Sequence, residues 1–192
     1  MMRIITGKAR GVKLVTLEGN MTRPTAERTK EAIFSMIQFD IEGRRVLDLF
    51  AGSGQLGLEA LSRGAAEAVM VDQSKEAIKI IHQNVEKTKL SDGAVVICAE
   101  FAEFLRGRRG GKPFDIIFLD PPYSMRAVSA AIIALENAKL IKNTTKIVCE
   151  SEEQYPIGEE TDLAKRYTVL KNAKYGKAYV TLLTPKDEEG DR

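Results

Sequence analysis

The chain has 192 residues, 44% apolar and 29% charged, with a formal net charge of +2. That is the length of one ordinary domain with a substantial core, and the composition is globular rather than disordered. No apolar run approaches a membrane span, and the N-terminus lacks the long apolar stretch of a signal peptide, so a cytoplasmic location is expected.

Charge is unevenly spread. Residues 1–30 hold seven cations (Arg3, Lys8, Arg10, Lys13, Arg23, Arg28 and Lys30) against Glu18 and Glu27, a basic arm suited to a polyanion or simply to solvent. Within it, residues 3–5 and 12–17 flank a glycine-bounded turn as a small hairpin, so that 1–20 reads as a basic appendage. Pro24 then opens a segment in which Thr29, Ile33, Met36 and Ile37 recur at helical spacing. Apolar runs at 45–50, 68–72, 94–98, 114–119 and 145–150, of the kind buried on both faces, alternate with helix-like stretches at 54–63, 75–88, 101–108 and 125–139. This is a doubly wound α/β pattern on a mostly parallel sheet. Strand-like runs at 166–173 and 177–184 form a closing antiparallel hairpin, completing a main domain over 21–185, and 186–192 is a polar tail. If the first of these strands runs parallel to the sheet, the hairpin turn brings Lys171, Lys174, Tyr175 and Lys177 to the edge where the parallel strands end. The cations Arg106, Arg108, Arg109 and Lys112 lead into a strand and belong on the opposite edge, as a solvated loop.

Cys98 and Cys149 lie far apart without a CxxC, and His82 is the only histidine. No metal site or Cys–His nucleophile is expected. Both cysteines sit in apolar runs and read as small core residues, and His82 as a surface residue. Chemistry must come from carboxylates, main chain and a bound cofactor.

Asp48-Leu-Phe-Ala-Gly-Ser-Gly-Gln-Leu-Gly57 follows the first strand of the alternation and opens a helix. Gly52, Gly54 and Gly57 satisfy G-x-G-x-x-G, and Asp72 ends the next strand 20 residues after Gly52, the spacing of a nucleotide-binding turn. The glycines alone do not separate a dinucleotide from S-adenosylmethionine. Asp48 does: a carboxylate at that strand tip would repel a pyrophosphate but balance an ammonium and a sulfonium. Glu100 closes the third strand of the alternation and Phe101 follows, an acceptor and a stacking surface for an adenine.

Asp115-Ile-Ile-Phe-Leu-Asp-Pro-Pro-Tyr123 is a buried strand ending in an acid, two prolines and an aromatic. Parallel strands end on one edge, so Asp48, Asp72, Glu100 and Asp120 gather there. Asp120 and the carbonyl of Pro121 can both accept from one exocyclic amine of a base, with Pro121 and Pro122 stiffening the acceptors and Tyr123 stacking on the ring. The base must leave its helix or already be unpaired to enter. Read alone, such a string is also a strand end followed by a proline turn.

With Asp48-Leu-Phe-Ala-Gly-Ser-Gly54 and Asp120-Pro-Pro-Tyr123 together, the chain resembles class I amino-methyltransferases that modify nucleobases. Arg3-Ile-Ile-Thr-Gly-Lys-Ala-Arg-Gly-Val-Lys-Leu14 and Thr22-Arg-Pro-Thr-Ala-Glu-Arg28 are similar to the opening of the bacterial small-subunit (16S) ribosomal RNA guanine-N2 methyltransferases, the RsmD family, and the likeness runs from Arg3 to about Thr184. The resemblance implies a Rossmann-like, seven-stranded sheet with the last strand antiparallel, S-adenosylmethionine as donor, and methylation of a guanine amine in 16S rRNA of the small subunit or its assembly intermediate, by a monomer. By position it implies that Asp48, Phe50, Ala51, Gly52, Ser53 and Gly54 hold the methionyl part. Asp72, with Gln73 beside it, takes the ribose, and Glu100 and Phe101 the adenine. Asp120, Pro121, Pro122 and Tyr123 take the target base. RNA would meet Arg3, Lys8, Arg10, Lys13, Arg23, Thr25, Arg28, Lys174, Tyr175 and Lys177, whose cations neutralise phosphate without reading sequence. Related enzymes usually carry Glu where Asp72 stands and Asp where Glu100 stands. Competing readings are a DNA adenine-N6 or cytosine-N4 methyltransferase, an NAD-dependent oxidoreductase, which leaves Asp48 and Asp120 unexplained, and a non-catalytic RNA-binding module.

Overall fold

The apolar runs pair into a single sheet in the computed structural model, which describes residues 2–17, 24–122 and 127–187, without the side chains of 24–26. Its strands are β1 (Arg45–Asp48), β2 (Glu67–Asp72), β3 (Ala94–Cys98), β4 (Ile116–Leu119), β5 (Lys146–Ser151), β6 (Tyr167–Tyr175) and β7 (Ala178–Pro185). They lie in the order β3-β2-β1-β4-β5-β7-β6. The first five are mutually parallel, and β7 runs antiparallel to both β5 and β6. The helices are α1 (Pro24–Met36), α2 (Gln55–Ser62), α3 (Lys75–Thr88), α4 (Phe101–Gly107), α5 (Val128–Asn137) and the short α6 (Asp162–Arg166). Among the described residues no helix is long and apolar enough to cross a membrane.

The two faces of the sheet separate by residue parity, as the two-residue period of a strand requires. Val46, Ala68, Met70, Ile116, Phe118 and Val148 pack with Ile33, Phe34 and Ile37 of the α1 region, Leu58 of α2, Ile81 and Val85 of α3, and Met2, Ile4 and Leu14 of the N-terminal segment. Leu47, Val69, Ile117, Leu119 and Ile147 pack on the other face with Phe104 and Leu105 of α4, Ile132 and Leu135 of α5, and Leu163 of α6. Such strands read as unbroken apolar runs because both faces are covered.

Several boundaries and positions differ from the sequence expectations. β1 ends at Asp48, and residues 49–50 already belong to the turn. Arg166 closes α6, a helix that the sequence reading did not separate from the following strand. The first strand of the terminal hairpin does not pair with β5, because β7 stands between them. β7 is the more apolar of the two, buried at Ala178, Val180, Leu182 and Leu183, and takes the interior place. β6 is left at the sheet edge with Val169 and Leu170 about half exposed. β6 still points the same way as β5, so the turn at Gly176 and Lys177 does reach the C-terminal edge of the parallel strands. β3 is the opposite edge strand, only partly covered, and Cys98 at its end is exposed rather than a core residue, while Cys149 is buried.

The N-terminal segment is a hairpin whose regular pairing reduces to one antiparallel bridge, Arg3 with Lys13, supported by Ile4 N–H to Val12 O (3.0 Å) and Leu14 N–H to Met2 O (2.9 Å). Beside the buried Met2, Ile4, Ala9 and Leu14, a polar network attaches it to the body. Glu59, fully buried in α2, accepts from Ile5 N (2.7 Å) and Thr6 N (3.0 Å), and Ser62 Oγ takes Ala9 N (3.0 Å) and donates to Thr6 O (2.6 Å). Arg63 Nε donates to Glu59 at 2.8 Å, Lys30 Nζ lies 3.6 Å from it, and Lys30 also donates to Arg3 O at 2.5 Å. Burial pulls the Lys30 ammonium below its usual pKa, and Glu59 opposes that by favouring the charged form. Removing one member of a buried, hydrogen-bonded ion pair typically costs about 3–5 kcal/mol. Glu59→Ala is therefore expected to lower the unfolding free energy by an amount of that order, read as a fall of about 1 M or more in the urea midpoint, with trypsin cutting first within residues 1–17; an unchanged midpoint would show that the network does not hold the segment.

Candidate active site

The order of the strands reverses between β1 and β4, and the crevice beyond their C-terminal ends is where open α/β sheets hold ligands. Asp48 is the last residue of β1, and Asp120 follows β4 directly. In register Asp48 lies beside Met70 and Phe118, which puts Asp72 and Asp120 two residues further along on either side. Phe118 pairs with Val148 and Leu119 with Cys149, so the next step sets Asp120 beside Glu150. All four carboxylates share the parity of Val46, Met70, Phe118 and Val148, and project toward the face covered by α2 and α3.

Asp48 is buried. Its Oδ2 accepts the Gly57 amide at 3.1 Å, and its Oδ1 has no hydrogen-bond partner. Desolvation pushes its pKa up to about 7; the Gly57 amide opposes that rise, and Asp72 adds to it. Asp120 is half-buried, and its carboxyl is held well above the usual carboxylate range by desolvation, then by the neighbouring charges of Glu150 and Asp48. A crevice of acids lying this close together favours a cation.

The glycine turn is shaped for close approach. Gly52 and Gly54 have φ of +54° and +77°, left-handed values that glycine adopts without strain. A Cβ at Gly52 would meet nothing within 4 Å, so the space above it is open to a ligand. A Cβ at Gly57 would lie 2.5 Å from Met70 Cγ, so the third glycine instead lets α2 pack onto β2 and bring its amide to Asp48.

Asp72 and Glu100 have structural duties beside those expected from the sequence. Asp72 accepts from Gly52 N and Ser74 N, each at 2.8 Å, bracing the glycine turn and the start of α3. Glu100 caps α4 through one oxygen, Oε2, which takes Ala102 N (2.8 Å) and Glu103 N (3.2 Å); Oε1 makes neither bond. Both carboxylates retain lone pairs for a ligand. The rings of Phe50 and Phe101 are 5.5 Å apart and tilted by 52°, which brings together two residues assigned to different parts of the cofactor. Gln73 is exposed beside Asp72, Ser53 is half-buried in the turn, and Ala51 is buried beneath it.

Pro121 is buried and Pro122 exposed; Tyr123 lies outside the described residues, as do Arg23 and the Thr25 side chain. Lys8, Arg10, Lys13 and Arg28 are exposed, and Arg3 pairs with Glu27 at 2.8 Å. Lys174 and Lys177 are exposed at the terminal hairpin, with Lys174 Nζ 5.1 Å from the centre of the Tyr179 ring. Tyr175 is partly buried against the core beside α1, so its ring serves packing as well as surface. Among the described residues no group of three or more His, Cys, Asp or Glu side chains could hold a metal ion.

Two residues escaped the sequence reading, Glu59 and Asn84. Both are polar side chains on otherwise apolar helix faces, between Leu58 and Ala60 and beside Ile81 and Val85, which was the available signal. Glu150 lies on the active edge by sequence, as do Glu152 and Glu153, and the strand register sets it against Asp120.

The model of the family described as Conserved hypothetical protein 95 matches residues 2–184. Ribosomal RNA small subunit methyltransferase D of Haemophilus influenzae is 36% identical over 157 residues, spanning 81% of each chain. The protein of the same name from Escherichia coli is 35% identical over 151 residues, 79% of this chain and 75% of the relative. Among solved structures, "Putative methyltransferase yhhF" from Escherichia coli superposes with a TM-score of 0.82 at 30% identity, covering 96% of this chain and 98% of that one. A more distant structure, SMU.776 complexed with SAH, shares the fold, with a TM-score of 0.66 at 15% identity over 85% of this chain and 50% of its own.

The orphaned Oδ1 of Asp48 and the open space over Gly52 fit S-adenosylmethionine, the donor implied by the sequence resemblance, whose ammonium needs an acceptor of this kind. Binding a cation beside Asp48 favours the carboxylate, so below about pH 7 it must displace a proton. Affinity for S-adenosylmethionine is thus expected to strengthen as pH rises from about 5.5 to 7.5, by up to about tenfold per unit below the midpoint. Calorimetric titration of the wild type and of Asp48→Asn checks this: the variant should bind weakly with a flat profile, and a wild-type profile without slope would contradict the assignment.

Proposed function

We propose, from the premise that this chain belongs to the Conserved hypothetical protein 95 family, the family of the small-subunit ribosomal RNA methyltransferases D, that it methylates the exocyclic N2 amine of a guanine in 16S rRNA. The observation that carries the proposal is the juxtaposition of Asp48 and Asp120 at the ends of β1 and β4. One carboxylate has an oxygen reserved for a cation, and the other opens the Asp-Pro-Pro-Tyr segment. The names of the relatives support ribosomal RNA as the substrate class. The acceptor pair calls for an exocyclic amine of a base, and guanine is the reading we add from the resemblance of residues 3–14 and 22–28.

When bound, S-adenosylmethionine supplies a methyl group on a sulfonium, an electrophile by its own chemistry. Asp48 would balance the ammonium of that donor, Asp72 would accept from its ribose hydroxyls, and the remaining lone pairs of Glu100 would accept from its adenine amine. Asp120 and the Pro121 carbonyl would accept the two hydrogens of the guanine amine, turning the nitrogen lone pair toward the methyl carbon. The new bond is N–C, the bond broken is C–S, and its electrons stay on sulfur as a thioether. The amine then sheds one proton. A carboxylate whose pKa stands above its usual range is a suitable first acceptor for it, and solvent the final one. Most of the rate advantage comes from alignment, since the acceptors sit on a rigid strand end and a proline.

Cations at Lys8, Arg10, Lys13, Lys174 and Lys177 would hold phosphates around the crevice. Labelled methyl transfer onto small ribosomal subunits lacking the modification, followed by digestion to nucleosides, tests the reading. N2-methylguanosine is the expected product; N6-methyladenosine or N4-methylcytidine would replace guanine as the target. Asp120→Ala is expected to lower kcat by at least about a hundredfold while changing S-adenosylmethionine affinity less than about threefold. Equal loss of both would move Asp120 into the cofactor site.

A further inference from the structure

Asn84 lies on the buried face of α3 and is fully buried. Its side chain makes three hydrogen bonds, each to main chain outside its own helix. Oδ1 accepts from Val15 N at 2.8 Å, and Nδ2 donates to Val15 O at 2.9 Å and to Ser53 O at 2.9 Å. Both backbone groups of Val15 are thus paired as they would be in a sheet, and the remaining N–H holds a carbonyl of the glycine turn. A primary amide has two donor hydrogens, and both are committed here. An apolar residue of similar size would leave three main-chain groups without partners, so packing alone does not account for an amide at this position.

Ser53 stands between the two left-handed glycines, in the part of the turn that faces the open space over Gly52. Val15 lies near the end of the described part of the basic hairpin, two residues beyond Lys13 and on the segment that also carries Lys8 and Arg10. One side chain therefore joins the candidate RNA-binding segment to the cofactor turn. The body of the hairpin is anchored by buried Met2, Ile4, Ala9 and Leu14 and by Glu59, Ser62 and Lys30, whereas its half-buried end at Val15 is tied down by the two Asn84 bonds, so the docking and lifting that matter here are those of that end. In the docked state the two Val15 bonds fix the Asn84 amide in the orientation that donates to the Ser53 carbonyl; in the lifted state Asn84 loses those two bonds, and its donor to Ser53 is no longer held from the hairpin side.

We propose that Asn84 is a positioning residue that couples the two sites: RNA bound across the basic hairpin favours the docked state, fixes the Ser53 carbonyl, and raises affinity for the cofactor. By thermodynamic reciprocity the cofactor raises affinity for RNA by the same factor. The inference rests on the reading of the chain as an RNA methyltransferase, and adds to it a linkage between its two substrates.

The test uses the full chain and S-adenosylhomocysteine, which binds without reacting. Its affinity is measured by equilibrium dialysis, alone and with saturating unmodified 16S rRNA transcript. RNA is expected to tighten wild-type binding by about fivefold or more. Asn84→Ala should bring the ratio to one. Thr88→Val, a change one turn away at a residue whose hydroxyl donates to main-chain carbonyls of α3, should keep the wild-type ratio. Should Asn84→Ala fail to fold, hydrogen exchange on the wild type decides: S-adenosylhomocysteine must slow exchange of the Val15 amide. A wild-type ratio of one, an Asn84→Ala ratio equal to wild type, or an unresponsive Val15 amide overturns the coupling while leaving methyl transfer untouched. Failure of RNA to bind at all would overturn the coupling together with the RNA reading.

Discussion

Burial of the Asp48 carboxyl with one oxygen unpartnered is the constraint on which the crevice depends. A carboxylate taken from water into protein without a full set of partners is expensive, and the group responds by holding its proton up to about pH 7. The sheet does not relieve that cost. It adds Asp72 and Asp120 two residues beyond on the neighbouring strands, and Glu150 beside Asp120. Gly57 supplies a compensating amide, and it comes close enough because it lacks the Cβ that would run into Met70. A bound cation at this point would restore the balance, so the crevice is built less stably than it could be, in favour of the ligand it would hold.

The polar interior on the other side of α2 has a different purpose. Lys30, Glu59 and Ser62 hold the hairpin by hydrogen bonds to its main chain rather than by apolar contact alone, and Arg63 donates to Glu59 and to the Thr6 hydroxyl. Buried ion pairs seldom contribute much net stability compared with well-packed apolar residues, but a network of this kind admits one docking geometry. That geometry leaves Lys8, Arg10 and Lys13 exposed while Ile4 and Leu14 enter the core. The basic surface is thereby fixed relative to the glycine turn, through α2 on one side and Asn84 on the other.

Much of this was legible in the sequence where the determinants are local. The alternation of apolar runs with helical stretches gave the parallel core, and α3 and β3 fell at the expected residues. Asp48 and Asp120 could be placed at strand ends because each terminates an apolar run. What depends on sheet order was not legible. β3 as an edge strand exposes Cys98, and β7 displaces β6 from β5 because of their difference in apolar content. The bonds of Glu59 and Asn84 to the hairpin join residues 53 to 69 positions apart, which no local periodicity records. Asp72 and Glu100 were read as ligand groups, and each also spends lone pairs on backbone amides of its own neighbourhood. A carboxylate at a strand end is suited to both duties, and the sequence alone does not apportion them.

The most direct measurement of the central claim is a crystal structure of the chain with S-adenosylhomocysteine bound. The account predicts the ligand's amino group within hydrogen-bonding distance of Asp48 Oδ1, its chain over Gly52, and its sulfur facing Asp120. A ligand seated elsewhere, or an Asp48 Oδ1 still without a partner in the complex, would contradict it.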